Sequence, residues 1–289
     1  AIMGGLSLLG LWTDTRLLSF TYDHRQDWPR RVRSMRGRPW HWRHAMAIGA
    51  AMALAYTVLA AAAEAGVIRP FTESESIHPA SLLVGTLLIP FVALGSITLL
   101  IKVRGLDFGS AFGLNRRKFR RRARAGAACY LGAVPLVVVS AVLSRLLLQS
   151  LGQDVGPQPL VSFLTDPDRP FWLLPYFFAL AVVVAPVVEE MLFRGILLPL
   201  LLRHQSPATA VCTVSLLFAL IHFHVPSVVP LFAVAVMFAL GYLWTGSLWV
   251  PIATHALFNG VNLMFLILAR DAAPLALGVP CALWGIRIP

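Results

Sequence analysis

The sequence predicts an all-α fold, a polytopic membrane helical bundle of seven or eight helices, and three observations lead there. Of the 289 residues, 58% are hydrophobic and 13% are charged, against about a quarter charged in a soluble globular domain. Several apolar runs approach or exceed the roughly 20 residues that cross a bilayer as a helix. The runs also lack the alternation of a membrane barrel, so strands are not expected.

Taken in order, the opening stretch AIMGGLSLLGLW is apolar but too short to span, and reads as an interfacial helix or the end of a trimmed segment. Spans are expected over 45–65, 80–101, 125–148 and 171–188, followed by an apolar stretch at 191–202. Three more follow at 208–223, 227–245 and 248–268. Pro70, Pro79, Pro170, Pro207 and Pro226 supply the breaks between them. No internal repeat or low-complexity linker is visible. The expected organisation is a basic N-terminal arm, 1–44, ahead of one membrane domain, 45–289.

The net charge of +11 is gathered mostly at HRQDWPRRVRSMRGRPWHWRH (24–44) and KVRGLDFGSAFGLNRRKFRRRAR (102–124). Between and after them come segments with acidic residues, 64–79 with Glu64, Glu73 and Glu75, and 149–169 with Asp154, Asp166 and Asp168. Basic segments on alternate loops follow the positive-inside rule, which puts 24–44 and 102–124 in the cytoplasm of a multi-pass protein of the cell membrane. Orientation and anionic lipid account for the arginines, so nucleic acid is the poorer partner. Cys129, Cys212 and Cys281 are scattered without CxxC spacing and imply neither a disulfide framework nor a cysteine metal site.

Against that background, VVVAPVVEEMLFRGILLPLLL (182–202) places two glutamates and an arginine in apolar sequence. A charge at the centre of a membrane helix costs roughly 2.5–3.5 kcal/mol on insertion scales. Glu190 and Arg194 are one helical turn apart and suited to pair. Glu189 is rotated by about 100° from its neighbour and is left to face elsewhere. Pro186, one turn earlier, loosens the local ladder of hydrogen bonds. A structural ion pair explains Glu190 and Arg194 but leaves Glu189 unexplained.

Two further polar sets lie in apolar sequence. LLFALIHFHVP puts Phe218 and His222 on one helix face, with His224 on another. PIATHALFNGVNL puts His255 and Asn259 one turn apart, with Asn262 beyond. Taken singly, such groups are more often interhelical hydrogen-bonders than catalysts. Three segments carrying them together weaken that reading. If they converge, Glu189 and His222 are placed to hold and deprotonate a water for attack on a peptide carbonyl, because an apolar cavity makes a carboxylate a better proton acceptor. His255 and Asn259 are donors suited to a developing oxyanion. A zinc site built from a carboxylate and two histidines is the competing chemistry, ranked second because no HExxH is present and the ligands are dispersed. No GxSxG or paired aspartate supports a serine or aspartyl route. Convergence carries a condition. With 208–223 and 227–245 as simple full spans, His222 and His255 fall near opposite membrane faces, so a tilted, broken or partial helix is required at Pro226 or between 189 and 207.

The three motifs, Glu189-Glu190-x-x-x-Arg194, Phe218-x-x-x-His222 and His255-x-x-x-Asn259, resemble those of the CAAX prenyl protease and bacteriocin-processing family, in the same order. The resemblance covers about residues 171–268. It implies an all-helical, glutamate-type intramembrane endopeptidase, a hydrolase with no cofactor and no metal. Carried over by position, it implies that Glu189 and His222 activate water, that His255 and Asn259 support the oxyanion, and that Glu190 and Arg194 organise the site. The expected partners are the lipid bilayer and a membrane-anchored protein or peptide substrate. The alternative is a noncatalytic binding or immunity protein on the same membrane fold, and a transporter ranks below both.

Overall fold

The computed structural model describes residues 2–23, 25–67, 79–153 and 173–271. Their regular structure is all helical, with no strand among the described residues. Six helices are long and apolar enough to cross a membrane, and a shorter apolar helix joins them. Pro70, Pro170 and most of the two acidic segments lie outside the described residues.

By internal packing the chain divides into two compact units, Arg38–Ala111 and Ala1–Gly37 with Phe112–Pro289. In the first, α3 (Trp42–Glu64) packs on α4 (Pro79–Val103). Its basic ends are tied to backbone oxygens: the Arg104 guanidinium donates to Pro39 O, and Arg38 Nη1 donates to Ser110 O at 2.5 Å. Little of α3 is buried, as suits a helix whose apolar surface faces lipid.

The second unit holds α1 (Ile2–Asp23), α2 (Trp28–Arg36), α6 (Phe119–Ser150), a long helix α7 over Leu173–Leu201, α8 (Pro207–Leu220), α9 (Val225–Thr245) and α10 (Trp249–Asp271). The short α5 (Phe108–Phe112) precedes it in the chain. The opening residues, too short to span as an apolar run, extend through a more polar stretch into the full length of α1, which packs on α6. In turn α6 packs on α9 and α10, and the core gathers around Phe218, Val234, Ala235 and Phe238.

Two corrections to the expected spans matter for the site. First, the helix that was expected to stop at 188 and give way to a separate stretch at 191–202 runs on without interruption as α7. It widens into π-helix at Leu180–Val184 and again at Met191–Leu197, on either side of the glutamates. The charged residues did not break it because their charges are compensated inside. Second, the span expected over 208–223 ends at Leu220, leaving His222 outside the helix. Ser206 caps the start of α8, its Oγ accepting from Thr209 N at 3.2 Å, with Pro207 next to it where no N–H is needed. At the other end Phe223 adopts φ +48, which ends the helix, and Pro226 enters the first turn of α9.

The start of α10 is pinned by a crossing of two turns. Gly113 and Gly246 both have positive φ and touch so closely that a Cβ on Gly113 would collide with Gly246 O. Leu248 N then donates to Phe112 O at 3.1 Å and Ser247 Oγ to Gly113 O at 2.8 Å. One turn further on, Gly126 of α6 lets α10 approach until Thr254 Oγ1 donates to Gly126 O at 3.0 Å. This fixes the helix immediately before His255.

Candidate active site

Glu190 and Arg194 are both fully buried, and Arg194 Nη1 donates to Glu190 Oε1 at 2.9 Å. The spacing along α7 makes the pair, and its burial is compensated from two more directions. Arg194 Nη2 donates to Ala235 O of α9 at 3.1 Å. The guanidinium lies over the rings of Phe218 and Phe238, 4.6 and 5.0 Å from their centroids. Such cation–π contacts gain strength where water is excluded.

His255 joins this pair from α10. Its Nδ1 lies 2.9 Å from Glu190 Oε1. An ionised carboxylate only accepts, so Nδ1 carries the proton and the free imidazole nitrogen is Nε2. That nitrogen lies 3.9 Å from Glu189 Oε2. The ring stacks on Phe238, with centroids 4.8 Å apart and planes 20° apart, and meets Phe218 edge-on at 5.6 Å. With His255 protonated, the two glutamates, the arginine and the histidine sum to zero charge; with it neutral they carry one negative charge.

Glu189 differs from its neighbour. Its side chain is a quarter exposed, and its buried Oε2 has no hydrogen-bond partner among the described residues. Glu190 Oε2 is also buried without a hydrogen-bond partner among the described residues, but its Oε1 is held by both Arg194 and His255, whereas Glu189 has no such bond and is partly open to its surroundings.

His222 is placed by the end of α8. Continued as helix, Phe218 O would accept from the His222 backbone; the chain turns away and His222 N bonds Ala219 O instead. The His222 side chain takes up the carbonyl, with Nδ1 2.8 Å from Phe218 O. A carbonyl only accepts, so Nδ1–H donates and Nε2 is the available nitrogen in the neutral ring. The ring lies 4.9 Å from that of Phe218, which therefore contacts His222, His255 and Arg194. His224 is turned to Ser227, Nδ1 to Oγ 2.7 Å.

Asn259 lies one turn beyond His255. Its Nδ2 donates to Ala181 O at 2.8 Å, within the first π-helical segment of α7. A π-turn upsets the regular pairing of carbonyls, and a side-chain amide from a neighbouring helix satisfies one of them. An amide nitrogen has two hydrogens, and this bond uses one. Asn262 is buried on the same helix.

Thus α7 and α10 bring Glu189, Glu190, Arg194 and His255 together, while His222 reaches the cluster through Phe218 and Asn259 through the α7 backbone. Phe238 was missed in the sequence. A phenylalanine in an apolar run gives no signal, and only the fold shows that it underlies both Arg194 and His255. Among the described residues, no group of three or more His, Cys, Asp or Glu is arranged to hold a metal ion.

Comparison with known proteins addresses the same region. Residues 170–261 match a family described as Type II CAAX prenyl endopeptidase Rce1-like. The chain is 29% identical over 166 residues to the membrane-embedded CAAX protease MroQ of Staphylococcus aureus (strain USA300), a match covering 55% of this chain and 65% of that protein. It is 37% identical over 92 residues to the uncharacterized protein YpbD of Bacillus subtilis (strain 168), covering 30% of this chain and 44% of the relative. The chain therefore spans less than two thirds of the length of either relative. No solved structure matches it.

Proposed function

The chain belongs, through residues 170–261, to the CAAX prenyl protease and bacteriocin-processing family, and from that premise we propose that it is an intramembrane endopeptidase acting on a membrane-anchored protein or peptide by glutamate-activated water. The observation that supports this reading is Glu189: a partly exposed carboxylate with no hydrogen-bond partner for its buried oxygen among the described residues, beside a fully buried Glu190 whose Oε1 is held by Arg194 and His255. In the reaction as proposed, Glu189 accepts a proton as the water oxygen bonds to the scissile carbonyl carbon. His222 orients that water through Nε2. The oxyanion is supported by the second amide hydrogen of Asn259 and by protonated His255. The C–N bond then breaks, the proton passes from Glu189 to the departing nitrogen, and Glu190 with Arg194 holds His255 in place throughout.

The test compares the termini of membrane proteins in cells carrying wild type, Glu189→Ala or His222→Ala at matched expression. Termini present with wild type and absent with both variants are expected, followed by cleavage of the identified protein by the purified enzyme. Identical termini in all three, with a cellular phenotype rescued equally well, would move the protein to the noncatalytic binding role.

The proposal includes orientation in the cell membrane. The basic arm, 1–44, and the segment 102–124 lie on the cytoplasmic side of the 45–289 membrane domain. A cysteine introduced at Arg117 is then protected from a membrane-impermeant thiol reagent in intact cells and labelled after lysis. Equal labelling before lysis would reverse the orientation.

A further inference from the structure

Apart from the glutamate site, the second unit has a cavity of about 360 Å³ where α2 meets the end of α9. Its walls include Asp27, Arg30, Arg31, Ser34 and Thr245. That volume falls in the range of small-ligand sites, about 300–1,000 Å³. Its charges are unevenly matched. Asp27 pairs with Arg30 at 2.5 Å and reaches Arg31 at 3.8 Å, so one carboxylate serves two guanidinium groups. Arg122 of α6 stands near enough to Arg31 for their like charges to interact. Two arginines and one aspartate in the lining leave an excess of one positive charge, and Arg122 adds to it from outside the lining. Buried Arg31 Nε also has no hydrogen-bond partner among the described residues, although its Nη1 donates to Trp244 O.

The position of the cavity selects the ligand. At about 1.5 Å per residue, the 21 residues of α9 rise about 31 Å, close to the ~30 Å hydrocarbon thickness of a bilayer. The end of α9 therefore lies at headgroup level. Trp28 and Trp244 meet there with centroids 5.2 Å apart, and tryptophan concentrates at that level of a membrane. Arginine matches phosphate oxygens with paired N–H groups, and Ser34 and Thr245 add hydroxyls.

We propose that this cavity is a phosphate-binding site that takes the headgroup of an anionic phospholipid from the surrounding membrane. Arg30 and Arg31 hold the phosphate oxygens, Arg122 adds its charge, and Trp28 and Trp244 flank the glycerol region. The site is separate from the proposed cleavage chemistry and is tested without it.

The experiment uses the purified full chain in neutral detergent and follows lipid binding by native mass spectrometry and thermal melting. The probes are phosphatidylglycerol, phosphatidylcholine and inorganic phosphate, each added alone. The variant Arg30→Gln/Arg122→Gln leaves Arg31 on Trp244. The control Arg16→Gln/Arg43→Gln removes the same charge from exposed positions outside the cavity. The expected result is preferential binding and stabilisation by phosphatidylglycerol, weakened at least tenfold in the cavity variant and less than twofold in the control. Equal weakening in both variants would reduce the effect to general charge attraction and overturn the site. Equal binding of the two lipids would overturn its selectivity for an anionic headgroup. Inorganic phosphate stabilising as well as phosphatidylglycerol would overturn the lipid as its source. A cavity variant that elutes as aggregate is replaced by Arg30→Gln alone, which alters an exposed side chain and must still weaken binding at least threefold.

Discussion

Arg194 is fully buried and paired with Glu190, so stability is expected to depend on it strongly. Truncating one partner of a buried, hydrogen-bonded ion pair leaves the other charge without compensation, at a cost of about 3–5 kcal/mol. Arg194→Met is therefore expected to lower the melting temperature sharply in detergent, while Glu189→Ala, on a partly exposed side chain whose buried oxygen makes no hydrogen bond among the described residues and only a long 3.9 Å approach to His255, lowers it much less. Equal losses would mean that the two glutamates are not divided into a structural and a reactive one. Phe223 gives the opposite kind of test. It is 94% exposed and holds a left-handed backbone. That conformation costs a bulky residue about 1–2 kcal/mol, more than the roughly 0.5–1 kcal/mol of added chain freedom that glycine brings. Phe223→Gly should keep or slightly raise the melting temperature, and a clear drop would show that the ring packs on something. At this scale the glutamates, arginine and histidines were legible because each is an anomaly in apolar sequence. Phe238 and the Ala181 carbonyl were not, since neither differs from thousands of ordinary core groups until the fold brings Arg194, His255 and Asn259 against them.

Among the elements, α10 depends on how closely α6 lets it approach. A Cβ at Gly126 would stand 2.8 Å from Val250 O and 2.7 Å from the Ala253 side chain. Gly126→Val is expected to destabilise by about 1–3 kcal/mol through overpacking. It should also reduce the proposed cleavage beyond what its stability loss explains, because Thr254 and His255 follow directly. Activity tracking stability alone would show that α10 can shift without disturbing the site. Hydropathy located the long helices to within a few residues, since lipid demands a nearly unbroken apolar run of fixed length. It failed at α7 and α8 for opposite reasons. Two charges imitated a helix end where the chain in fact continues, while apolar residues through Phe223 concealed an end where a backbone turn stops the helix. Neither internal charge compensation nor a change of dihedral angle is written in hydropathy.

For the whole molecule, composition sufficed to assign the membrane, and motif order sufficed to mark the segment where the family match lies. Which helices meet was beyond both, because every span is apolar and the closest approaches rest on small residues: Gly113 against Gly246 where two turns cross, and Gly126 against α10. Another consequence lies in the length of α8. Its 14 residues rise about 21 Å, against a hydrocarbon layer of about 30 Å. A lipid leaflet next to α8 meets a hydrophobic surface several ångströms too short, and matching it by thinning costs only fractions of a kcal/mol per ångström. The expected result is a local dent in the bilayer beside α8, where the layer of oil is thinner than along the full-length helices.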